Sequence, residues 1–345
     1  MNNIMIVGID LAKSVFQVCG LNQARKVMFN RGVSRAKLLT LLRTYPGALI
    51  AMEACGSAHH WARTLASMGY EVRLIPAQHV KAFCRGNKSD VHDALAIAES
   101  VFRPDIHEVA VKSLEQQDIQ TLLRIRTRHK DSRKNTVNQI RGLLSEYGLV
   151  MPKTIVQFDR HLPVILEDGD NGLTPIARIA ISELYEQHQE VSRKIVKADQ
   201  QLKQLAQGHE IAKQLMCIRG IGPITSLALF ASVGTAQQFR NARQFAAWLG
   251  LVPKQHGTGG QMKLGSISKR GNCYLRLLLI HGARTVMNWM KDKRDVFSVW
   301  AKALVERRGK HKAIVAVANK TARMVWVVLQ KGVEALPQPH LSAAM

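Results

Sequence analysis

Four carboxylates in the first hundred residues have the types and the spacing for phosphate chemistry. Asp10 follows the apolar run Ile6-Val7-Gly8-Ile9, and Glu53 follows Ala48-Leu49-Ile50-Ala51-Met52. Asp90 and Asp93 lie three apart in Lys88-Ser89-Asp90-Val91-His92-Asp93-Ala94-Leu95. Clustered carboxylate oxygens suit a hard divalent cation, Mg²⁺ or Mn²⁺, which neutralises a phosphodiester during transfer. Acids are scarce in this chain, 25 against 49 basic residues, so those that end apolar runs point to a use. A helix-cap pair plus two exposed turn-end acids would give the same letters. The elements that carry the four must therefore be read next.

Ile4–Ile9, Val15–Gly20 and Arg25–Phe29 have the alternation of three short strands joined by tight turns. A serine-capped helix is predicted over Ser34–Arg43, a buried strand over Leu49–Met52, a helix over Ser57–Ser67 and a strand over Val72–Ile75. Ser89 can cap a further helix from Asp90 to about Phe102. This order is β-β-β-α-β-α-β-α, which fits an α/β ribonuclease-H-like mixed sheet with helices on both faces. In such a sheet the strands ending at Asp10 and Glu53 can be neighbours. Asp90 and Asp93 share one helix face in a first turn, where the helix dipole tolerates negative charge.

Beyond residue 111 the pattern turns helical. Leu114–Tyr147 carries an apolar spine of Leu122, Ile125, His129, Val137, Ile140 and Leu144, flanked by basic residues including Arg124, Arg128 and Arg133. Pro152, Pro163 and the turn at residues 168–172 break the chain before a second long helix over Pro175–Leu205. Two such helices predict a helical arm, either a coiled-coil assembly surface or an intramolecular hairpin. The run Cys217–Ser226 resembles the turn of a helix-hairpin-helix, with Gly220 and Gly222 offering backbone N–H groups to a phosphate. A plain helix-loop-helix is the other reading. Residues 253–263 read as a flexible, basic, glycine-rich loop containing Thr258, and a hydroxyl there is either a nucleophile or a phosphate donor. The segment continues through Lys263, Ser266, Ser268, Lys269 and Arg270 to a helix bearing Arg276. The cationic run at Arg307 and Arg308 precedes a last helix, Ala313–Leu329.

The organisation expected is a catalytic domain over 1–111, a long-helix domain over 112–206 and a basic, mainly α domain over 207–345. The last of these holds 21 basic against 5 acidic residues, a net of +16 within the +24 of the whole chain. That excess predicts a polyanionic partner bound through counterion release, with Arg124, Arg128, Arg133, Gly220, Gly222, Lys263, Lys269, Arg270, Arg276, Arg307 and Arg308 as nucleic-acid contacts. No long apolar span argues for a membrane. The opening MNNIMIVGIDLAKS reads as a strand, not an export signal, which predicts a cytoplasmic protein. Five scattered cysteines with no CxxC pair read as buried thiols in a reducing compartment.

Taken together, the segments IVGIDLAKSVFQVCG, AMEACGSAHHW, KSDVHDALAIAE, RGIGPITS, FAAWLGLVPKQ and LGSISKRGNCYLR resemble the DEDD transposases and invertases of bacterial insertion sequences. The resemblance runs over nearly the whole chain. It implies a RuvC-like catalytic domain whose acidic tetrad falls on Asp10, Glu53, Asp90 and Asp93, with Mg²⁺ as cofactor. It also implies a nucleophilic hydroxyl that becomes joined to DNA. The family's serine is replaced here by Thr258 in His256-Gly257-Thr258-Gly259-Gly260, with Ser266 and Ser268 as neighbouring alternatives. Double-stranded DNA at element ends and target, a guide RNA encoded by the element, a dimer or tetramer of the chain, and a location with the bacterial nucleoid follow from the same resemblance. The alternative is a metal-dependent junction endonuclease, or a non-catalytic nucleic-acid-binding protein of the same fold.

Overall fold

The computed structural model describes residues 4–84, 89–104, 106–290 and 292–336. Lys88 of the acidic motif and residues 337–345 of the expected third domain lie outside the described residues. The chain divides into two compact units, Met1–Ser113 and Leu114–Met345.

In the first unit five strands are laid down as β1 (Ile4–Asp10), β2 (Val15–Asn22), β3 (Val27–Ser34), β4 (Leu49–Glu53) and β5 (Val72–Ile75). Their order in the sheet is β3-β2-β1-β4-β5. β1 pairs antiparallel with β2 and parallel with β4, and β4 pairs parallel with β5. The three-strand meander and the adjacency of β1 and β4 agree with the sequence pattern. β3 starts two residues later than predicted because Arg25 takes a left-handed turn conformation, φ 61°, that ends the hairpin loop. Helix α1 (Leu38–Arg43) is preceded by a 3₁₀ turn, Arg35–Lys37, in place of one continuous helix. Next come α2 (Ala58–Ser67), the short α3 (Ala77–Val80) and α4 (Asp90–Ser100). Apolar side chains on β1, β2 and β4 meet α1 and α2 on one sheet face, with Phe16 and Trp61 edge to face at 5.3 Å. Ala94 and Ala98 of α4 cover the other face over Ile6, Cys19 and Leu21.

The second unit opens with α5 (Leu114–Ser145), α6 (Ile155–Glu167) and α7 (Pro175–Gly208). α5 and α7 run antiparallel. Ile119 and Leu123 near the start of α5 share a core with Leu202 and Ala206, whereas Val137, Ile140 and Leu144 near its end share one with Ile181. The buried residues of α7 are seven apart at Ile181, His188, Ile195 and Leu202, the period of a coiled-coil seam. The predicted spine of α5 holds in its second half and at Leu122, which packs half-buried against the large core. Ile125 is 47% exposed, and the first half buries Gln116, Ile119 and Leu123 instead. A seam continued from 119 and 123 meets Arg126, Lys130 and Arg133 before it reaches Val137, so the apolar letters near 125 belonged to the wrong face. Arg126 turns to Asp199 of α7 as an ion pair.

Pro163, read from sequence as a break, lies inside α6. A proline cannot donate to the carbonyl four residues back. That carbonyl, on Asp159, accepts the Tyr185 hydroxyl at 3.4 Å instead. The remaining elements are α8 (Glu210–Met216), α9 (Pro223–Val233), α10 (Ala242–Trp248), β6 (Pro253–Thr258), β7 (Gln261–Ile267), α11 (Cys273–Asn288), α12 (Val296–Arg308) and α13 (Lys310–Lys331). The helices among them close on one large apolar core that also takes in the N-terminal end of α5.

Candidate active site and nucleic-acid interface

Asp10 stands at the C-terminal end of β1, and pairing of Ile9 with Met52 makes Glu53 the next residue on the neighbouring strand. The other two acids arrive on α4. Ser89 is its N-cap, its hydroxyl accepting from His92 N–H at 3.4 Å, so Asp90 and Asp93 fall in the first turn. What brings that turn to the sheet edge is the absence of a side chain at Gly8. A Cβ there would lie 2.5 Å from the Ala94 carbonyl oxygen and 2.8 Å from the Ala98 Cβ, so α4 rests almost on the β1 backbone. Glycine in the strand and alanines at i and i+4 on the helix thus set the position of the acids.

Carboxylate oxygens of Asp10, Asp90 and Asp93 all lie within 4.8 Å of one another, Asp10 and Asp93 half-buried and Asp90 exposed. Glu53 is outside that group of three. It remains at the same edge, since the thiols of Cys55 and Cys84 both feel the charges of Glu53 and Asp10. The donor set is all oxygen and suits Mg²⁺ or Mn²⁺. Cys84 was read from the sequence only as a buried thiol, not as a partner of the acids. Its Sγ donates to Asp93 Oδ1 at 3.2 Å. Burial first, then that hydrogen bond and the surrounding acids, push the thiol up to about 11, so at neutral pH it is a donor that orients Asp93. No spacing signal could have found it, because the contact arises from the turn after α3. His59 serves local structure. His59 Nδ1 accepts the Lys112 N–H at 3.2 Å, and burial followed by Lys112 and Arg63 lowers its pKa to about 4. Of the cysteines only Cys19 is buried; Cys273 is exposed, against the expectation of five buried thiols.

The glycine-rich segment is a β-hairpin, not a flexible loop. β6 and β7 pair with Thr258 opposite Gln261, leaving Gly259 and Gly260 as a two-residue turn with φ 57° and 80°. Positive φ at both central residues is the type I′ turn, whose twist matches a hairpin. Read as looseness, adjacent glycines were in fact turn chemistry. Thr258 is the last exposed residue of β6 before the turn. Strand alternation and pairing put Thr258, His256, Lys263 and Gln261 on one face of the ribbon, and Met262, Leu264 and Gln255 on the other. Ser266 is exposed in β7, whereas the Ser268 hydroxyl is shut from solvent with no hydrogen-bond partner. Arg276 holds the base of the hairpin: its Nη1 donates to the carbonyls of Leu249 at 3.0 Å and Arg270 at 2.9 Å.

Family models match segments of both units. A transposase model of the DEDD type matches residues 7–149, and the model of the transposase IS116/IS110/IS902 family matches residues 212–298. The chain is 44% identical over 331 residues to the transposase for insertion sequence element IS1111A of Coxiella burnetii, covering 96% of this chain and 91% of that one. The protein belongs to the IS116/IS110/IS902 family of transposases. The transposase for insertion sequence element IS1328 of Yersinia enterocolitica is 33% identical over 332 residues, 96% of this chain and 98% of its own.

The basic residues of this transposase are unevenly disposed. Arg124, Arg128, Lys263, Lys269, Arg270, Arg307 and Arg308 are exposed, and Arg133 is half-buried. Arg307 and Arg308 sit in the last turn of α12, where the helix dipole favours cations. The two glycines of the α8–α9 link differ. Gly220 faces α11, since a Cβ on Gly282 would lie 2.1 Å from the Gly220 carbonyl oxygen. Gly222 is open, caps α9 without a side chain, and precedes Pro223 at N1. Among the described residues no helix is long and apolar enough to cross a membrane.

Proposed function

We propose that this DNA transposase exchanges strands by a metal-assisted phosphoryl transfer in which Thr258 is the nucleophile. The observation that carries the reading is the convergence of Asp10, Asp90 and Asp93 at one sheet edge, with Glu53 beside them. These four would hold Mg²⁺ or Mn²⁺, which supplies charge neutralisation at the phosphate when bound. Cys84 keeps Asp93 aimed at the cluster. Thr258 Oγ1 forms a bond to phosphorus as the bond to the departing strand oxygen breaks. One phosphoester replaces another, so rejoining needs no outside energy. His256 and Lys263 share the hairpin face with Thr258 and supply a proton acceptor and a positive charge there.

The basic second unit binds double-stranded DNA at element ends and target, and the arginines of α5 extend that surface to an element-encoded guide RNA. α5 and α7 form an intramolecular hairpin that also presents an assembly surface for a dimer or tetramer. Exposed Ile176 and Ile179 on α7 support this part, being apolar and unburied. Activity on DNA in the bacterial cytoplasm is consistent with these partners.

The test is a reaction of the full chain with labelled DNA bearing an element end, Mg²⁺ and the RNA that flanks the gene. The expected result is protein-linked DNA whose adduct maps to Thr258. Cleavage without any adduct would favour a junction endonuclease that uses water, and an adduct on Ser266 would move the nucleophile along β7.

A further inference from the structure

The second unit contains a cavity of about 450 Å³ bounded by α5, α9 and the start of α11. Its floor is apolar: Leu123, Ala228 and Ala231 are each no more than 4% exposed. Ala228 and Ala231 stand three apart on α9, and their small side chains leave the space open. Arg124 and Arg128 line the cavity from α5, one helical turn apart, so both guanidinium groups come from one helix face. Neither makes an ion pair with a carboxylate among the described residues. Asp131 lies on the same wall. Tyr274 contributes from α11, and its hydroxyl is shut from water with no hydrogen-bond partner. A buried hydroxyl in that condition is costly until something in the cavity pairs with it.

We propose that this cavity takes a single unpaired nucleotide with an exocyclic amino group, displaced from the nucleic acid that the protein binds. The volume lies in the range of small-ligand sites, large enough for one nucleotide and too small for a base pair with its backbone. The apolar floor receives the flat face of the base. Arg124 and Arg128 hold its phosphate as a two-pronged cationic clamp. Asp131 accepts from the amino group, which favours adenine or cytosine over thymine or uracil. A rotation of the Tyr274 side chain brings its enclosed hydroxyl into the cavity, where it gains its missing partner on the base or sugar. An extruded or single-stranded nucleotide is what strand exchange produces wherever a duplex is opened. The inference rests on the proposed nucleic-acid-binding role of the second unit, and extends it from the duplex backbone to one base.

The experiment measures binding of deoxyadenosine, deoxythymidine and adenosine 5′-monophosphates and of inorganic phosphate to the full chain by titration calorimetry. Duplex DNA is titrated in parallel. The deoxyadenosine nucleotide should bind at least about tenfold tighter than deoxythymidine monophosphate or phosphate, a difference of about 1.4 kcal/mol. The adenosine arm separates an RNA source from a DNA source, since a ribose-specific gain assigns the pocket to RNA. Tyr274→Phe removes one oxygen that the free protein leaves unpaired. It should weaken nucleotide binding severalfold with an unchanged or raised unfolding midpoint. Asp131→Asn should abolish the preference for the amino-bearing base. Equal binding of phosphate and all nucleotides would overturn the proposal, as would full affinity in Tyr274→Phe together with Arg124→Gln. If wild-type protein binds duplex but no nucleotide, the cavity inference fails and the nucleic-acid reading stands. If it binds neither, the underlying reading fails.

Discussion

Asp10 and Thr258 end strands of opposite character. β1 is buried at every position from Ile6 to Ile9, lies inside a five-stranded sheet and is covered on both faces. In the β6–β7 ribbon every residue from Pro253 to Ser266 is exposed. A carboxylate cluster must hold several like charges close together, and only a rigid frame keeps them there. A two-stranded ribbon alone in water is marginally stable. The glycine turn and the Arg276 clamp at its base keep its shape, while its face stays open to solvent. The acids are preorganised by the fold, and the hydroxyl by one turn and one guanidinium.

The largest effect expected separates chemistry from folding in the rigid half. Asp10→Asn should abolish recombination while leaving DNA binding and the unfolding midpoint nearly intact. The loss corresponds to several kcal/mol of transition-state stabilisation, about the order that metal positioning contributes. Full activity in that variant would sink the assignment of the acid cluster. In the exposed half, Thr258→Val should eliminate the protein–DNA adduct at nearly constant shape, whereas Thr258→Ser should keep it. Denaturing gels of quenched reactions read both outcomes.

The next effect tests whether the frame makes the cluster. Gly8→Val leaves all four acids in the sequence but forces α4 off β1, and overpacking of this kind costs about 1–3 kcal/mol. Stability should fall by that amount and Mn²⁺ affinity should fall with it. Undiminished metal binding would show that the acids do not depend on the close approach. Arg276→Gln is the counterpart in the hairpin. It should slow adduct formation by up to about a hundredfold, the scale of a misplaced reacting group, and leave the adduct site at Thr258. The smallest effect is a pH dependence in the first unit. The His59 pKa is lowered in the fold from 6.5 to about 4, so the unfolded chain binds the proton first as pH falls. Stability should therefore be full above pH 6.5 and decline between about 6.5 and 4. His59→Gln should flatten that part of a denaturation–pH profile.

The same contrast explains what the sequence could reveal. Strand alternation, the Ser89 cap and the i, i+3 spacing of Asp90 and Asp93 are local signals, and they found the strands and the helix that carry the acids. Gly8 was visible only as one small letter in an apolar run, since its meaning depends on Ala94 and Ala98 almost ninety residues away. Cys84 was missed because its contact with Asp93 is made by the path of the turn after α3, which no spacing announces. In the second unit three readings failed, two of them for want of a distant partner. Pro163 was weighed without Tyr185, which satisfies the carbonyl the proline leaves free. Gly259 and Gly260 were read as flexibility although their pairing defines a turn type. The spine of α5 was drawn through Ile125 because an apolar letter outweighs Arg126 in any pattern, yet Arg126 faces α7 through Asp199.

Helix α5 joins two separate apolar cores, one reached through Ile119 and Leu123 and the other through Val137, Ile140 and Leu144. Its 32 residues span about 48 Å at 1.5 Å each, and its middle turns face α7 with charged groups. Cooperative unfolding follows contiguous apolar packing. The distal end of the α5–α7 hairpin with α6 is therefore a foldon distinct from the large core that carries the β6–β7 ribbon. Such a division lets the far end open and reclose, exchanging its amide hydrogens, while the scaffold that anchors Thr258 stays folded.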